Sequence, residues 1–326
     1  MRRKWFVLVF AVPALWAQQP QTGDVDSAIR AYRTYLDAHP DSVEARSNLG
    51  AALARAGRYD EAIAEYDRAL SKSPENPALL LNLGLAYYKT ARPAEAAERF
   101  ERAVSLAPQF KDQVTLLLAS CYNSLGKFKQ AVALLSPLED RKSADQAFDY
   151  LYGTALIGDG QDAAGAAVIE RILSRGDSAE ALLLRSTLKM RANDHDGAQA
   201  DVEKAIALND KLPGAHARLG ELLLGVGDAE RARTAFGQEL ALDPDDFTAS
   251  LNMGVLAKQD QEYAQARRYF DRALKTRPND PGVRYQMALA TVYYRLGRST
   301  EGDRERAIAQ KLMDRRDGAQ TGITPR

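Results

Sequence analysis

The sequence pattern of this chain recurs every 34 residues. Ala28, Ala62 and Ala96 are separated by this interval, as are Pro40 and Pro74. Further copies in the C-terminal part are marked by Ala198, Ala232, Ala266, Gly220, Gly254, Pro244 and Pro278. A period of this size indicates stacked units that each contact only their neighbours. One elongated domain can therefore account for most of the 326 residues.

The composition limits the classes of partner. Lys and Arg number 44, and so do Asp and Glu, so the net charge is zero. A folded chain without net charge has no overall electrostatic attraction for nucleic acid or an anionic membrane, and we expect neither as a partner. Cys121 is the one cysteine in the sequence, which excludes an internal disulfide framework and a cysteine-rich zinc site.

The N-terminus has the pattern of an export signal. Basic residues occupy positions 2–4, an uncharged apolar stretch runs from Trp5 to Trp16, and cleavage is predicted after Ala17. The stretch is shorter than the roughly 20 residues that span a bilayer. We therefore predict a signal peptide over 1–17, a linker over 18–24, and an exported chain, periplasmic or secreted, without an integral membrane segment after cleavage. Retention of the segment as an anchor is the alternative.

The clearest copy of the repeat, Val43 to Asn76, predicts two short helices. The first is marked by Leu49, Gly50 and Leu53, and the second by Ala62, Tyr66 and Ala69. Spacings of three and four residues place each set on one helical face. Between the helices, Gly57 suits a left-handed turn and Asp60 suits an N-cap, while Pro74 ends the second helix. The unit is predicted to be a helical hairpin.

This arrangement resembles the tetratricopeptide repeat, which has a Leu-Gly pair, a large residue, a small Ala, an aromatic residue, a second Ala and a Pro. The second copy supplies Leu83, Gly84, Tyr87, Ala96, Phe100, Ala103 and Pro108. The seventh copy supplies Met253, Gly254, Ala266, Phe270, Ala273 and Pro278. The resemblance implies an all-α fold, a right-handed α-solenoid of tandem tetratricopeptide helical hairpins.

The domain prediction follows from these markers. A single solenoid is predicted over 25–316, followed by a disordered tail over 317–326. It comprises a half-repeat over 25–42 and then about eight hairpins, with starts near residues 43, 77, 112, 146, 179, 213, 247 and 283. The last helix, predicted over Thr300 to Met313, alternates its charges and suits a terminal cap.

Departures from the pattern cluster between residues 111 and 210. Pro137 falls inside the second helix of the third copy, and a proline there removes a helical hydrogen bond, so we predict a kink or early stop near Ser136. Gly165 stands where Ala is expected. The irregular region is interpreted either as a change in superhelical pitch or as sequence drift in a tolerant interior. Whether it is a hinge is left open.

No motif supports catalysis. His39, His195 and His216 occupy unrelated repeat positions and are interpreted as solvated or capping residues. Cys121 is predicted to be a small buried hydrophobe rather than a nucleophile. Asp194 to Gly197 and Gly158 to Gly160 are interpreted as hairpin turns, because neither has the spacing of a calcium or phosphate loop. We predict no catalytic residue, no metal site and no cofactor.

The resemblance implies a concave groove lined by first helices, in which repeat positions 5 and 12 face a bound peptide. Neighbouring groups at position 6 add amides that can hold a peptide backbone. The candidate binding residues are Asn48, Leu81, Asn82, Leu85, Tyr88, Leu116, Asn123, Tyr150, Leu183 and Leu251. The alternative is that these side chains pack between adjacent hairpins. A carboxylate clamp is not expected, because its basic partners are missing.

The sequence therefore predicts a non-catalytic scaffold for protein–protein interaction. Its groove is expected to bind an apolar peptide segment or helix of a partner in the cell envelope. The alternative is a structural or bridging subunit that self-assembles, or joins a larger envelope complex, through its convex face or its ends. The identity of the partner and the oligomeric state are left open.

Overall fold

The computed structural model describes residues 25–142, 145–276 and 282–321, with the side chains at 142, 284 and 315–321 left out. The predicted signal peptide and linker lie outside the described residues. Within the described part of the chain every regular element is a helix, which confirms the all-α prediction. The chain divides into two compact units between Asp177 and Ser178. Below they are called the N-terminal unit and the C-terminal unit.

The N-terminal unit is a series of helices in which most sequential neighbours pack side by side. Its helices are α1 (Val25–Ala38), α2 (Val43–Arg55), α3 (Tyr59–Lys72), α4 (Pro77–Lys89), α5 (Pro93–Leu106), α6 (Lys111–Ser124), α7 (Phe128–Leu135), α8 (Glu139–Lys142), α9 (Gln146–Gly158) and α10 (Asp162–Leu173). Single 3₁₀ turns lie at Pro108–Phe110 and Ser136–Leu138. In this unit, α2, α4, α6 and α9 are the first helices of hairpins.

The C-terminal unit repeats the same arrangement. Its helices are α11 (Ala179–Arg191), α12 (His195–Leu208), α13 (Ala215–Gly225), α14 (Ala229–Leu242), α15 (Phe247–Gln259), α16 (Tyr263–Thr276), α17 (Val283–Arg295) and α18 (Ser299–Thr321). The odd-numbered helices are the first helices of the hairpins, and each packs on the helix that follows it.

An aromatic ring closes the hairpin onto a glycine. Gly84 of α4 lies against Phe100 of α5, so close that a Cβ on the glycine would stand 2.7 Å from the ring. The pair Gly220 and Phe236 repeats this contact in the C-terminal unit, at 2.5 Å. Both rings are fully buried. The small residue at this position is thus required by the approach of the second helix.

The turn between the two helices of a hairpin depends on a left-handed residue. Gly57 has a φ of 72° between α2 and α3, as its sequence position predicts. The predicted cap at Asp60 is wrong: α3 begins at Tyr59, its N-cap is Arg58, and no side chain caps it. Asp60 lies instead in the first turn of α3, where a carboxylate interacts favourably with the helix dipole.

Proline stops the second helix of the third hairpin, as predicted. The α-helix α7 ends at Leu135, and a 3₁₀ turn carries Pro137. The chain then continues into the short α8. Proline has no backbone N–H to donate. Because Pro137 lies in a 3₁₀ turn after the end of α7, it does not interrupt the hydrogen bonds of an α-helix.

A buried carboxylate organises the fourth hairpin. Asp149 of α9 has no exposed surface, and Arg171 of α10 donates to its Oδ1 at 2.6 Å. The Nη1 of Arg175 donates to the other oxygen at 3.0 Å. A buried charge is stable only when it is paired and hydrogen-bonded, and here two guanidinium groups supply both requirements.

A second buried carboxylate caps a helix in the C-terminal unit. Glu239 of α14 accepts hydrogen bonds from the backbone N–H groups of Gly214 and Ala217, at the start of α13, at 2.8 and 3.2 Å. Burial raises the pKa of this carboxyl group, and the two backbone hydrogen bonds oppose the rise. Glu239 thus supplies the cap that α13 lacks, because the N-cap position is Gly214.

His216 corrects the sequence interpretation of the histidines. It is buried rather than solvated, and its Nε2 lies 3.0 Å from the carbonyl oxygen of Asp210. His39, by contrast, is exposed and stacks on Tyr35. His195 is exposed and begins α12, and the N-cap there is Asp194. The Asp194 segment is therefore a hairpin turn, as predicted.

The last helix is longer than the sequence indicates. It continues to Thr321, so that residues 317–321 of the predicted disordered tail are helical. Gly318 is a weak helix former, at a cost of about 1 kcal/mol, and the alanine and glutamine that follow it favour the helix. Residues 322–326 lie outside the described residues. None of the described helices has the length and hydrophobicity needed to cross a bilayer.

The contact between glycine and ring predicts opposite effects for two alanine substitutions. Gly220→Ala forces its Cβ into the buried ring of Phe236, and we expect it to lower the free energy of unfolding by about 1–3 kcal/mol. Gly237→Ala on α14 meets no atom within 4 Å, and we expect it to be neutral or to stabilise by up to about 1 kcal/mol. Urea unfolding measures both. Equal effects would contradict the account.

The Asp149 cluster predicts that a conservative change lowers the stability of the fold. Asp149→Asn removes the charge that two arginines share, and we expect a loss of about 2 kcal/mol in the free energy of unfolding. The expected loss is moderate because both guanidinium groups are partly exposed and regain water. Glu95→Gln, which breaks the exposed pair with Arg92, is the control and should change stability by less than about 0.5 kcal/mol. A larger loss for the control than for Asp149→Asn would be inconsistent with this account.

Candidate functional site

The ten predicted binding residues all lie on first helices. In the N-terminal unit they belong to α2, α4, α6 and α9, and in the C-terminal unit to α11 and α15. Their burial differs strongly from one residue to the next. The set therefore separates into core residues and surface residues.

Four of the candidates are core residues. Leu81, Leu85 and Tyr88 of α4 are 3%, 6% and 7% exposed, and Leu251 of α15 is 4% exposed. The reason is that α4 packs against α2, α3 and α5 and is apolar on nearly every side. For these residues the structure supports the alternative that they pack between helices.

Two amides one repeat apart are open to a ligand. Asn48 of α2 and Asn82 of α4 are half-buried, and neither carboxamide is engaged by another described residue. Each carboxamide offers two donor hydrogens and an acceptor oxygen. They are suited to hydrogen-bond the backbone of a bound segment.

The middle of the N-terminal unit adds apolar and hydroxyl groups. Leu116 of α6 and Tyr150 of α9 are half-buried, so part of each side chain faces solvent. Ser120 of α6, which the sequence analysis missed, is also half-buried, and its Oγ lies 3.2 Å from the hydroxyl of Tyr88. Its signal in the sequence is repeat position 9, which Leu85 occupies in the second hairpin.

Asn123 has a structural role as well as a surface position. Its Nδ2 donates to the carbonyl oxygen of Leu151 in α9 at 2.9 Å, which ties the third hairpin to the fourth. Its Oδ1 is buried and has no partner among the described residues. A buried acceptor without a donor is costly.

These residues define a surface that we call the amide face: Asn48, Asn82, Leu116, Ser120, Asn123 and Tyr150. None of its members is charged, and amide and hydroxyl groups outnumber apolar ones. The amide face is more polar than the predicted apolar groove, because the apolar candidates of α4 are buried in the core. The amide face can hydrogen-bond a neutral segment and give it a small apolar contact at Leu116 and Tyr150.

The C-terminal unit offers a different surface. Leu183 of α11 is half-buried and packs beside the cluster that contains Ala198 and Val202. On α17, Met287 and Tyr294 are 41% and 38% exposed. The Tyr294 hydroxyl donates to Asp303 of α18 at 2.8 Å, and this hydrogen bond raises the pKa of the tyrosine.

No group of three or more His, Cys, Asp or Glu side chains is placed to hold a metal ion in the part of the chain that the structure describes. Cys121 is buried, as predicted, and burial raises the pKa of its thiol to about 12. A thiol with that pKa is not a nucleophile at neutral pH.

Family comparisons agree with the hairpin geometry. One family model, described as Tetratricopeptide repeat, matches residues 21–77, 183–247, 218–281 and 251–302. A second, with the same description, matches residues 53–109 and 91–153. No curated protein matches the chain.

Solved structures share the fold. A tetratricopeptide repeat protein from Parabacteroides merdae ATCC 43184 has a TM-score of 0.59 at 18% identity, and the match covers 81% of this chain and 99% of that one. A chain of the APC/C hetero-tetramer Cut9-Hcn1 has a TM-score of 0.55 at 15% identity, over 82% of this chain. The match covers 52% of that second chain, about half of its length.

These matches confirm the predicted fold class, an α-solenoid of tandem helical hairpins, and the repeat indicates a protein–protein interaction scaffold. Proteins of this kind are generally non-catalytic. The glycine and aromatic pairs that close the described hairpins lie within the ranges that the family models match. The chain belongs to the tetratricopeptide repeat family.

Proposed function

We propose that the chain is a non-catalytic scaffold that holds a peptide segment or helix of a partner protein against the amide face of the N-terminal unit. The observation that carries this proposal is the pair of amides at Asn48 and Asn82, which no described residue engages, on first helices of the same unit as the partly exposed Leu116 and Tyr150. Hydrogen bonds to a backbone give affinity for any sequence. The apolar pair adds a preference for a segment with a hydrophobic side chain.

The lack of charged members in the amide face limits the kind of segment that can bind. A segment rich in Asp, Glu, Lys or Arg would lose its hydration here without gaining an ion pair. A neutral segment does not incur this cost, and its backbone groups find amide partners. The bound segment is therefore neutral, polar in its backbone contacts and apolar at one or two side chains.

The place of action belongs to the same proposal. The basic residues at positions 2–4 and the apolar stretch from Trp5 to Trp16 support export through a signal peptide. The partner is then a protein of the cell envelope. Mass spectrometry of the chain from the native cell should find a mature N-terminus at Gln18. A mature chain that still begins near Met1 would count against cleavage.

The amide face predicts a position-dependent crosslink. A photoreactive residue in place of Asn82 should capture a partner segment in an envelope extract, and one in place of Lys129 on α7 should not. Lys129 is exposed on a second helix of the same unit, which makes it a matched control. Capture at Lys129 in preference to Asn82 would place the partner elsewhere.

Substitutions then test the energetic contribution of the face. Leu116→Glu and Asn82→Ala should each weaken binding of the captured segment by about tenfold, as expected for central contacts of an interface. Asn252→Ala is the control, because the Nδ2 of that residue already donates to Thr248 of its own helix. Circular dichroism checks that each variant is folded. Unchanged affinity in both test variants would contradict the proposed site.

A second candidate is a structural or bridging subunit. The observation in its favour is a pair of exposed leucines, Leu208 at the end of α12 and Leu242 at the end of α14, which are 48% and 41% exposed. They stand one repeat apart, each at the end of a second helix. Light scattering decides this function: a concentration-dependent oligomer that Leu208→Glu dissociates supports it, and a strict monomer opposes it.

A further inference from the structure

The outer face of α16 carries three cations, which we call the basic row: Arg268, Arg272 and Lys275. All three residues are exposed. Their spacings of four and three residues place them on one side of the helix, over about 10 Å of its length. The core-facing side of α16 is buried through Phe270 and Ala273. The basic row is therefore a surface feature that adds nothing to the core.

The charge of the basic row is not compensated within the described part of the chain. None of its three members has an ion pair or a hydrogen bond with another described residue. The acid of the same helix, Asp271, is engaged elsewhere. It lies 3.6 Å from the Nε of Arg267 and accepts a hydrogen bond from the hydroxyl of Tyr293 at 3.4 Å. The three cations thus remain available to a negatively charged ligand.

Comparable arginines on two other second helices are paired with acids. In α3, Arg68 lies 2.6 Å from Glu65. In α14, Arg231 lies 3.6 Å from Asp228 and 3.8 Å from Glu203. Arginines on the outer faces of these helices are therefore balanced by neighbouring carboxylates. The basic row departs from this arrangement.

Folding explains part of the basic row only. Lys275 lies in the last turn of α16, where a cation interacts favourably with the helix dipole. Arg268 and Arg272 lie before the last turn and do not gain from this interaction. Like charges at spacings of three and four residues repel one another and weaken a helix. The two arginines therefore cost the fold a little stability, and binding of an anionic ligand would account for them.

Helix α18 places two more cations at corresponding positions. Arg304 and Lys311 stand 36 residues after the first and last members of the basic row, and both are exposed. The same interval separates the buried Ala273 of α16 from the buried Ala309 of α18. Helix α17 packs on both of these helices. Because stacked hairpins keep equivalent positions in register, the two cations extend the positive surface of α16.

The acids in the first half of α18 are engaged within the fold. Glu301 pairs with Arg298, and Asp303 accepts a hydrogen bond from the hydroxyl of Tyr294 at 2.8 Å. Glu305 is half-buried, and burial raises the pKa of its carboxyl group. These carboxyl groups are therefore poorly placed to neutralise the exposed cations.

The exposed face of α16 suits a protein segment better than a membrane. A helix that binds a membrane surface combines basic residues with an apolar face that inserts into the bilayer. In α16, all of which the structure describes, the apolar face is buried and no large hydrophobic side chain is exposed. Guanidinium groups bind carboxylates in a planar, bidentate geometry. An extended peptide with a carboxylate on every second residue places these groups about 7 Å apart, so two or three of them span the row.

We propose that the basic row of α16 binds an acidic segment of a partner protein, in which carboxylates occupy alternate residues of an extended chain. The site lies on a second helix of the C-terminal unit, whereas the amide face belongs to first helices of the N-terminal unit. The two surfaces select opposite kinds of segment, since the amide face favours a neutral one. Binding at each surface can therefore be tested independently of the other.

A labelled acidic peptide is a direct probe of the basic row. The peptide alternates glutamate with serine over about ten residues, and the control peptide has glutamine in place of each glutamate. We expect saturable binding of the acidic peptide to the full chain by fluorescence anisotropy, and about tenfold weaker binding of the control. Raising the ionic strength from about 0.05 to about 0.2 M should weaken the acidic peptide several-fold, because exposed charges are screened.

Two double variants of the chain locate the binding. Arg268→Gln with Arg272→Gln removes two charges from the basic row and should weaken the acidic peptide by about tenfold. Arg68→Gln with Arg231→Gln is the matched control, because it removes two exposed arginines from other second helices and changes the net charge equally. It should change the affinity by less than about twofold. All four positions are exposed, so the fold should survive, which circular dichroism checks.

Three results would overturn the proposal. Absence of saturable binding to the full chain means that the basic row has no affinity for an acidic segment. Equal weakening by the two double variants means that the peptide responds only to net charge. Binding of the chain to vesicles of phosphatidylglycerol and phosphatidylcholine, without binding of the acidic peptide and lost in Arg268→Gln with Arg272→Gln, means that an anionic membrane occupies the row.

Discussion

The packing of an aromatic ring on a glycine is the contact on which the rest of this structure depends. Opposite the rings of Tyr66, Phe100, Phe236 and Phe270 on second helices, the first helix has a glycine. The two backbones come close enough to bury the ring completely, and the neighbouring alanines are buried with it. These four contacts fix the two helices of each of these hairpins against one another.

The same contact decides which side chains remain for binding. Once a first helix packs between its own second helix and the preceding one, most of its apolar residues are inside, as in α4. What is left at the surface is a row of amides, hydroxyls and partly covered apolar groups. Binding surfaces thus arise where the repeat leaves a side uncovered.

The sequence predicted the hairpins well because their determinants are local. Glycine, alanine, aromatic and proline positions recur at fixed spacing, and the early stop at Pro137 follows from one residue. The burial of the candidate site residues was harder to predict from the sequence. Whether Leu81 or Asn82 faces solvent depends on the packing of other helices. The same is true of Asp149 and His216, whose partners come from a neighbouring helix or loop. No short-range pattern marks such residues.

Hydrogen exchange of the chain, free and with its captured partner bound, tests the central claim most directly. The claim is that the uncovered faces of first helices do the binding while the ring and glycine contacts hold the hairpins rigid. The account predicts new protection along α2, α4 and α6, with little change in α3 and α5, whose rings are buried in both states. Protection confined to second helices, or loss of protection in α3 and α5 on binding, would contradict it.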